Sequence, residues 1–363
     1  MYSRLWRKFD FWIVGFALLL VIYGVAMIAS ATRGSEDLHD LWRTQLIRAG
    51  IGFGLLLVVA AIDYRFYRQL YKPMYFVILV TLAILFIVGE LTQGTLRWIG
   101  PGGTLQPSEP AKIVLIITLA KILSDHDGQM GYLRYVLLSL LVIVPPVLLV
   151  FLQPNLSTSI ILIFIWLIMG FVAGVRLFHL GLLAGVGALF TPALWLMLED
   201  YMRERVLLFL NPASNPDDYY NVQQALISIG SGGWLGKGFG NGSQSQLRFL
   251  RVRHTDFIFS VIGEELGMLG GIVLFVLIIL LLWRILRAAD LAADPFGRLI
   301  CTGVAAVIFV QAFVNVGVNL GLLPVTGTPL PFVSYGSSSL FTLLIALGLV
   351  ESVLMRRKRL DFE

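Results

Sequence analysis

An all-α polytopic membrane protein of about ten transmembrane helices is the fold class this sequence predicts, and three observations predict it. The chain has 363 residues, of which 58% are hydrophobic and only 13% charged, with a mean hydropathy of +0.85. Soluble domains carry about 25% charged residues. The apolar residues gather into windows long enough to cross a bilayer. The Lys and Arg residues fall into alternate loops, which is how orientation is encoded.

The first window, 11–31, follows Arg4, Arg7 and Lys8. Ala29-Ser30-Ala31 resembles a signal-peptidase site. The apolar stretch before it is too long for the core of a signal peptide, so an uncleaved first helix is expected. Further windows fall at 44–62, 73–89, 107–123, 134–152, 157–174 and 178–198. After a long polar stretch come 257–283, 298–322 and 334–355. With the N-terminus inside, the inner loops hold Arg65, Arg68, Lys72, Lys121, Arg134, Arg176, Arg284, Arg287, Arg298 and the tail Arg356-Arg357-Lys358-Arg359. The short outer loops hold only Arg33, Arg43 and Arg97. This asymmetry predicts N-in/C-in topology in the cytoplasmic (inner) membrane, with residues 199–256 as a long extracytoplasmic loop before the eighth helix. One domain over residues 1–363 is the simplest organisation, the loop being an elaboration within it.

The net charge of +5 would suggest nucleic acid only if topology were ignored, so no nucleic-acid partner is expected. One cysteine, Cys301, excludes an intrachain disulfide and a cysteine metal cluster. The four histidines, His39, His126, His179 and His254, show no ligand spacing, so no structural metal site is expected.

Three constellations carry chemistry. In Arg253-His254-Thr255-Asp256-Phe257, Asp256 stands where the polar loop meets an apolar window. An ionisable group there is a functional candidate, and the alternative is a helix cap by Thr255 or Asp256. The second is Arg97-Trp98 followed by Gln106-Pro107-Ser108-Glu109-Pro110-Ala111-Lys112. Ser108 reads as a cap, and Glu109 and Lys112 share one helix face. They form either a self-satisfied ion pair or the wall of an outward cavity in which Arg97 and Lys112 bind an anion. Trp98 is a cavity residue or an interfacial anchor. The third is Asn315 and Asn319, four apart, before Pro324, Pro329 and Pro331, an irregular segment that needs protein or a watery cavity beside it.

The loop also contains an acidic-aromatic patch, Asp217-Asp218-Tyr219-Tyr220, an amphipathic stretch at 221–229, and a glycine-rich run at 230–242. The run fails both nucleotide-loop patterns, because Ser231 and Gly238, or Asn241 and Ser243, stand at required positions. It reads as a flexible amide-rich loop with Lys237 as its cation.

His254-Thr255-Asp256-Phe257-Ile258-Phe259 with Glu264-Glu265-Leu266-Gly267 resembles the central signature of the SEDS family (shape, elongation, division and sporulation). Gln106-Pro107-Ser108-Glu109 with Lys112, and Gly321-Leu322-Leu323-Pro324 through Pro331 to Ser334-Tyr335-Gly336, match two further signatures. Gln153-Pro154-Asn155-Leu156 is a weaker match. Ile229-Gly230-Ser231-Gly232-Gly233 and Gln244-Ser245-Gln246 resemble the RodA-like elongation branch more than the division branch. Departures are Asn155 in place of Asp, Ser157 and Ser337 in place of Gly, Thr328 in place of an aliphatic residue, and Arg251-Val252 in place of Pro-Glu.

The resemblance implies a peptidoglycan glycosyltransferase that joins lipid II units into a β-1,4 glycan strand, with a class B penicillin-binding protein as partner. It points to Asp256 as catalytic and to Trp98, Glu109 and Lys112 as required positions. With Arg97, Lys237, Gln246, Arg253, His254, Thr255 and Ser334, these form the expected substrate-binding set. No cofactor is certain, and a divalent cation (Mg or Mn) beside the diphosphate fits the chemistry. A lipid diphosphate leaves without a protonating acid, so one carboxylate and a few cations suffice, unlike the paired carboxylates of a glycosidase. Two rivals use the same residues: a lipid II flippase, and a non-catalytic scaffold in which Asp256 only caps. The mid-helix positions are nearly bare of charge, which favours an enzyme at the outer face over a flippase.

Overall fold

The computed structural model describes residues 6–33, 38–91, 98–99, 105–212, 216–247, 249–250 and 252–357. Twelve helices of more than one turn are described. They are α1 (Phe11–Thr32), α2 (Leu41–Ala61), α3 (Tyr64–Leu91), α4 (Ser108–Asp125), α5 (Leu133–Leu152), α6 (Leu156–Val172), α7 (Leu177–Met197), α8 (Asp200–Leu210), α9 (Pro216–Gly232), α10 (Ile258–Asp290), α11 (Pro295–Asn319) and α12 (Ser337–Met355). The ten apolar windows correspond to α1–α7 and α10–α12. Among the described residues, α1–α3, α5 and α10–α12 are each long and apolar enough to cross a membrane, and α6 and the described part of α7 are shorter apolar helices. α4 carries four charged residues, but they close on one another. Glu109 pairs with Lys112, and Lys121 with Asp125.

Local chemistry sets several helix starts. The Asp10 carboxylate accepts the Trp12 amide at 3.0 Å and opens α1. Asp294 accepts the Gly297 amide at 2.8 Å, with Pro295 in the first turn of α11, where its missing N–H is no loss. Two starts differ from expectation. α3 begins at Tyr64, nine residues before Pro73, because a proline is tolerated inside a helix whose neighbours re-satisfy the backbone. α4 is preceded by Pro107, and Ser108 does not cap it: its hydroxyl is buried without a hydrogen-bond partner.

The centre of the bundle is α11 and α12, with 89% of each apolar window buried. Close backbone approach sustains this packing. A Cβ on Gly348 of α12 would lie 2.7 Å from Leu56 O of α2. At one face, the Asp10 amide donates to Glu351 at 3.0 Å, Arg284 pairs with Asp10, and Tyr64 OH donates to Asp294 at 2.7 Å. The described ends of the chain therefore meet on one face.

At the opposite face, the described parts of residues 199–256 fold onto the bundle. α9 runs longer than the expected 221–229 and crosses α10 so closely that a Cβ on Gly232 would lie 1.9 Å from Gly263 O. α10 turns sharply at Gly267, whose φ of 64° and ψ of −160° suit glycine. There the glycine run docks: Lys237 N donates to Glu264 O at 2.9 Å, Gly238 N to Glu265 O at 3.0 Å, and Met268 N to Gly233 O at 2.9 Å. The expectation of a flexible loop is thus corrected. Its amides are spent on the kinked helix rather than left open for a ligand.

Candidate active site

Asp256 lies in the turn that leads into α10, and that turn is held by its main chain. Asp256 O accepts from both Asn315 and Asn319 side-chain amides, each at 2.9 Å. Asn319 Oδ1 accepts from Ser260 N at 3.1 Å and from Ser260 Oγ at 2.6 Å. The first turn of α10 is therefore capped from α11, and neither Thr255 nor Asp256 caps it. On the other side, Ser334 Oγ donates to Thr255 O at 2.6 Å and accepts from Leu330 N at 2.8 Å, while Tyr335 N donates to His254 O at 3.0 Å. The two asparagines act as interhelical fasteners, the commoner role for such residues.

The Asp256 carboxylate is half-buried, and no hydrogen bond to it is recorded among the described residues. Burial pushes its pKa up to about 6, and the Arg205 guanidinium acts in the other direction. Gly327 adjoins it: a Cβ there would sit 3.7 Å from Asp256 Oδ2. Gly327 also lines a cavity of about 180 Å³, whose other walls include Trp98, Asn155, Ser157, Arg205 and Thr326. Arg205 is anchored by a 3.0 Å bond to Val325 O. Trp98 is 46% exposed at this cavity, beside a two-bond bridge between Ile99 and Leu105. Asn155 both lines the cavity and caps α6 through a 3.3 Å bond from Thr158 N.

The other expected site residues divide by what holds them. Lys112 is 1% exposed and bonds Glu109 at 2.7 Å, a sealed pair rather than a cation open to the cavity. Pairing offsets part of the cost of burying either charge alone. Glu109 Oε2 remains buried without a partner. Lys237 bonds Glu264 at 2.9 Å and Ser243 at 2.8 Å, so its charge is already balanced. Gln246 Nε2 reaches Ser30 O at 2.9 Å and Glu265 at 3.4 Å, tying the loop to α1. Arg253 is 3% exposed and donates to Ala31 O, away from the cavity. His254 and Thr255 flank Asp256 in its turn, with burial and Arg253 holding the His254 pKa below its usual value. Ser334 is a buried clasp. Arg97 and Arg251 lie outside the described residues. Among the described residues no three His, Cys, Asp or Glu side chains gather as a metal-ligand set.

Arg205 is the site residue that sequence reasoning missed. It sits on α8 in the long loop, where an arginine beside Arg203 and Glu204 reads as solvated surface.

The family profile of FtsW, RodA and SpoVE, described as "Cell cycle protein", matches residues 10–359. The chain belongs to this family. It is 38% identical to peptidoglycan glycosyltransferase MrdB of Escherichia coli K12 over 347 residues, covering 95% of this chain and 93% of that protein. It is 36% identical to a probable peptidoglycan glycosyltransferase FtsW of Geobacter sulfurreducens, covering 97% and 96%. Among solved structures, it resembles a chain from work on the structural coordination of polymerization and crosslinking by a peptidoglycan synthase complex. That likeness has a TM-score of 0.83 and 32% identity over 97% of this chain and 99% of that one. It also resembles the rod shape determining protein RodA of Thermus thermophilus, with a TM-score of 0.71 and 31% identity over 97% and 98%.

Proposed function

We propose that this multi-pass membrane protein is a peptidoglycan glycosyltransferase that polymerises glycan strands from lipid II in cell elongation. The observation that carries the mechanism is a carboxylate fastened by its backbone, with no hydrogen-bond partner among the described residues, beside a cavity that holds an arginine. The enzyme class follows from relatives that carry the name peptidoglycan glycosyltransferase along nearly the whole chain.

Asp256 serves as the general base. Its pKa of about 6 lies close to neutral pH, where a base is both ionised and able to hold a proton. It takes the proton of the acceptor sugar hydroxyl. The hydroxyl oxygen bonds the anomeric carbon of the donor as the bond from that carbon to the lipid diphosphate breaks. The electron pair leaves on the diphosphate, and a single displacement inverts the centre. Arg205 balances the departing charge from a fixed position, so no reorganisation is needed at the moment of transfer. Trp98 supplies an apolar face for a sugar ring. A Mg or Mn ion fits this set as a companion of the diphosphate, since such ions bind through one or two carboxylates plus substrate phosphates. Asp256 is the carboxylate that would hold it, and with such an ion bound it would anchor the base rather than be the base.

The positive face with the chain ends is assigned to the cytoplasm of the inner membrane, and the Asp256 face to the outside. A class B penicillin-binding protein is the proposed partner. The likeness to a chain of a peptidoglycan synthase complex supports it. The deciding experiment incubates purified protein with lipid II in detergent. Polymer from the wild type and none from Asp256→Asn supports the assignment. Equal polymer from both removes Asp256 as base, and no polymer from the wild type leaves a flippase or scaffold.

A further inference from the structure

A second cation stands on the far side of the Asp256 turn. Arg48 is half-buried in α2, two turns below the helix start. Its recorded partner is Tyr335: Nη1 donates to the hydroxyl at 2.9 Å, and the guanidinium lies 5.2 Å from the ring centroid. No carboxylate pairs with it among the described residues. An arginine at this depth demands an anion or a functional reason, and most of its five N–H donors remain available for one. Because Tyr335 OH accepts from Arg48, its own proton is directed elsewhere and can be donated.

Two further observations point to a ligand. The His254 ring meets Tyr335 edge-on with centroids 5.9 Å apart, and His254 Nδ1 is buried without a partner. The segment is held in register by Gln45, whose Nε2 donates to Ser334 O at 3.2 Å and whose Oε1 accepts from Gly336 N at 3.4 Å. The Tyr335 amide bonds His254 O, so this cluster and the Asp256 turn form one connected unit. Beside and below Arg48, exposed Ile47, Ile51, Leu55 and Val58 make an apolar lane down α2.

We infer that Arg48, Tyr335 and His254 bind the diphosphate of a polyprenyl-linked lipid, whose chain lies along the α2 lane. Arginine matches phosphate oxygens bidentately, the tyrosine hydroxyl adds a donor, and the lane accepts isoprene units. The departing diphosphate then meets Arg48 from the α2 side and Arg205 from the side of the Trp98 cavity. This deepens the glycosyltransferase reading and rests on it for the identity of the lipid.

The test reads binding without turnover. Purified full-length protein in detergent is titrated with a polyprenyl diphosphate, and separately with phosphatidylglycerol, by native mass spectrometry. Arg48→Gln is expected to weaken the diphosphate lipid about tenfold, as the loss of a charge-assisted contact predicts, and to leave phosphatidylglycerol unchanged. Arg48→Lys and Tyr335→Phe should each give a smaller loss, and the lysine variant carries the test if the glutamine variant melts early. Unchanged diphosphate binding overturns the site. Equal weakening of both lipids also overturns it, in favour of a general headgroup contact. If the wild type binds the diphosphate through Arg48 yet makes no polymer, the catalytic reading fails and the site stands. If it polymerises and Arg48→Gln binds as tightly, the site alone fails.

Discussion

Glu264 and Asp256 lie eight residues apart and are treated in opposite ways. Glu264 is fully buried and accepts from Lys237, Ser243 and the amides of Gln244 and Ser245 at 2.9–3.2 Å. Its neighbour Glu265 accepts from Ser30, Gly240 N and Ser245. Asp256 has a fastened carbonyl and a carboxylate with no recorded hydrogen bond. A carboxylate ringed by donors is spent on structure. One left partly desolvated and unpaired holds its proton more tightly, which is what a base requires.

The largest expected effect breaks the comparison at the base. Asp256→Asn should lower the polymerisation rate by about 10²–10⁴-fold, the usual worth of a general base. Its melting temperature at pH 7 should be no lower than wild type. The sign follows from linkage: burial raises the folded pKa from 3.8 to about 6, so this group stabilises the fold fully at low pH and loses that contribution as pH rises through 6. The asparagine variant has nothing to lose. A melting temperature well below wild type would make Asp256 structural.

Glu264→Gln should show the reverse, losing about 3 kcal/mol of stability as Lys237 loses its charge partner and several donors lose an acceptor. Thermal unfolding measures it, and any polymerisation that survives below the lowered transition should keep its pH profile. Arg205→Gln should reduce the rate by about 10–100-fold. It should also move the acid limb of the rate upward from about pH 6, because Arg205 favours the ionised carboxylate. A rate loss with an unmoved limb would separate Arg205 from Asp256. Asn319→Ala should cost about 1–2 kcal/mol and give a small rate loss, since Asn315 still holds the Asp256 carbonyl. Hydrogen exchange at Ser260, its amide deprived of its Asn319 partner, reports the loosened turn.

Much of this was legible in the sequence. The apolar windows anticipated the positions of α1–α7 and α10–α12 because hydropathy is the property a bilayer selects. Asp256 drew notice because a charge at the edge of an apolar run is costly, but its position alone left a helix cap as an equal alternative. What stayed hidden depended on contacts between distant residues. Thr255 and Asp256 invited a local capping reading, but the acceptor came from Asn319, sixty-odd residues on. Lys237 looked like a substrate cation because nothing nearby in sequence neutralised it, and Glu264 does so across the loop. The nine residues before Pro73 include three basic side chains and three tyrosines, so no hydropathy window could find the start of α3. Glu109 and Lys112 showed their pairing by spacing, and only packing could reveal that the pair is sealed.

The contact of Gly232 with Gly263 has a practical meaning for anyone reshaping this polymerase. With no side chain between the two main chains, neither position offers a dial that can be turned by small steps. Libraries aimed at altered output should leave this seam untouched and spend their diversity on outward-pointing neighbours such as Trp234 and Leu235, where replacements meet open space.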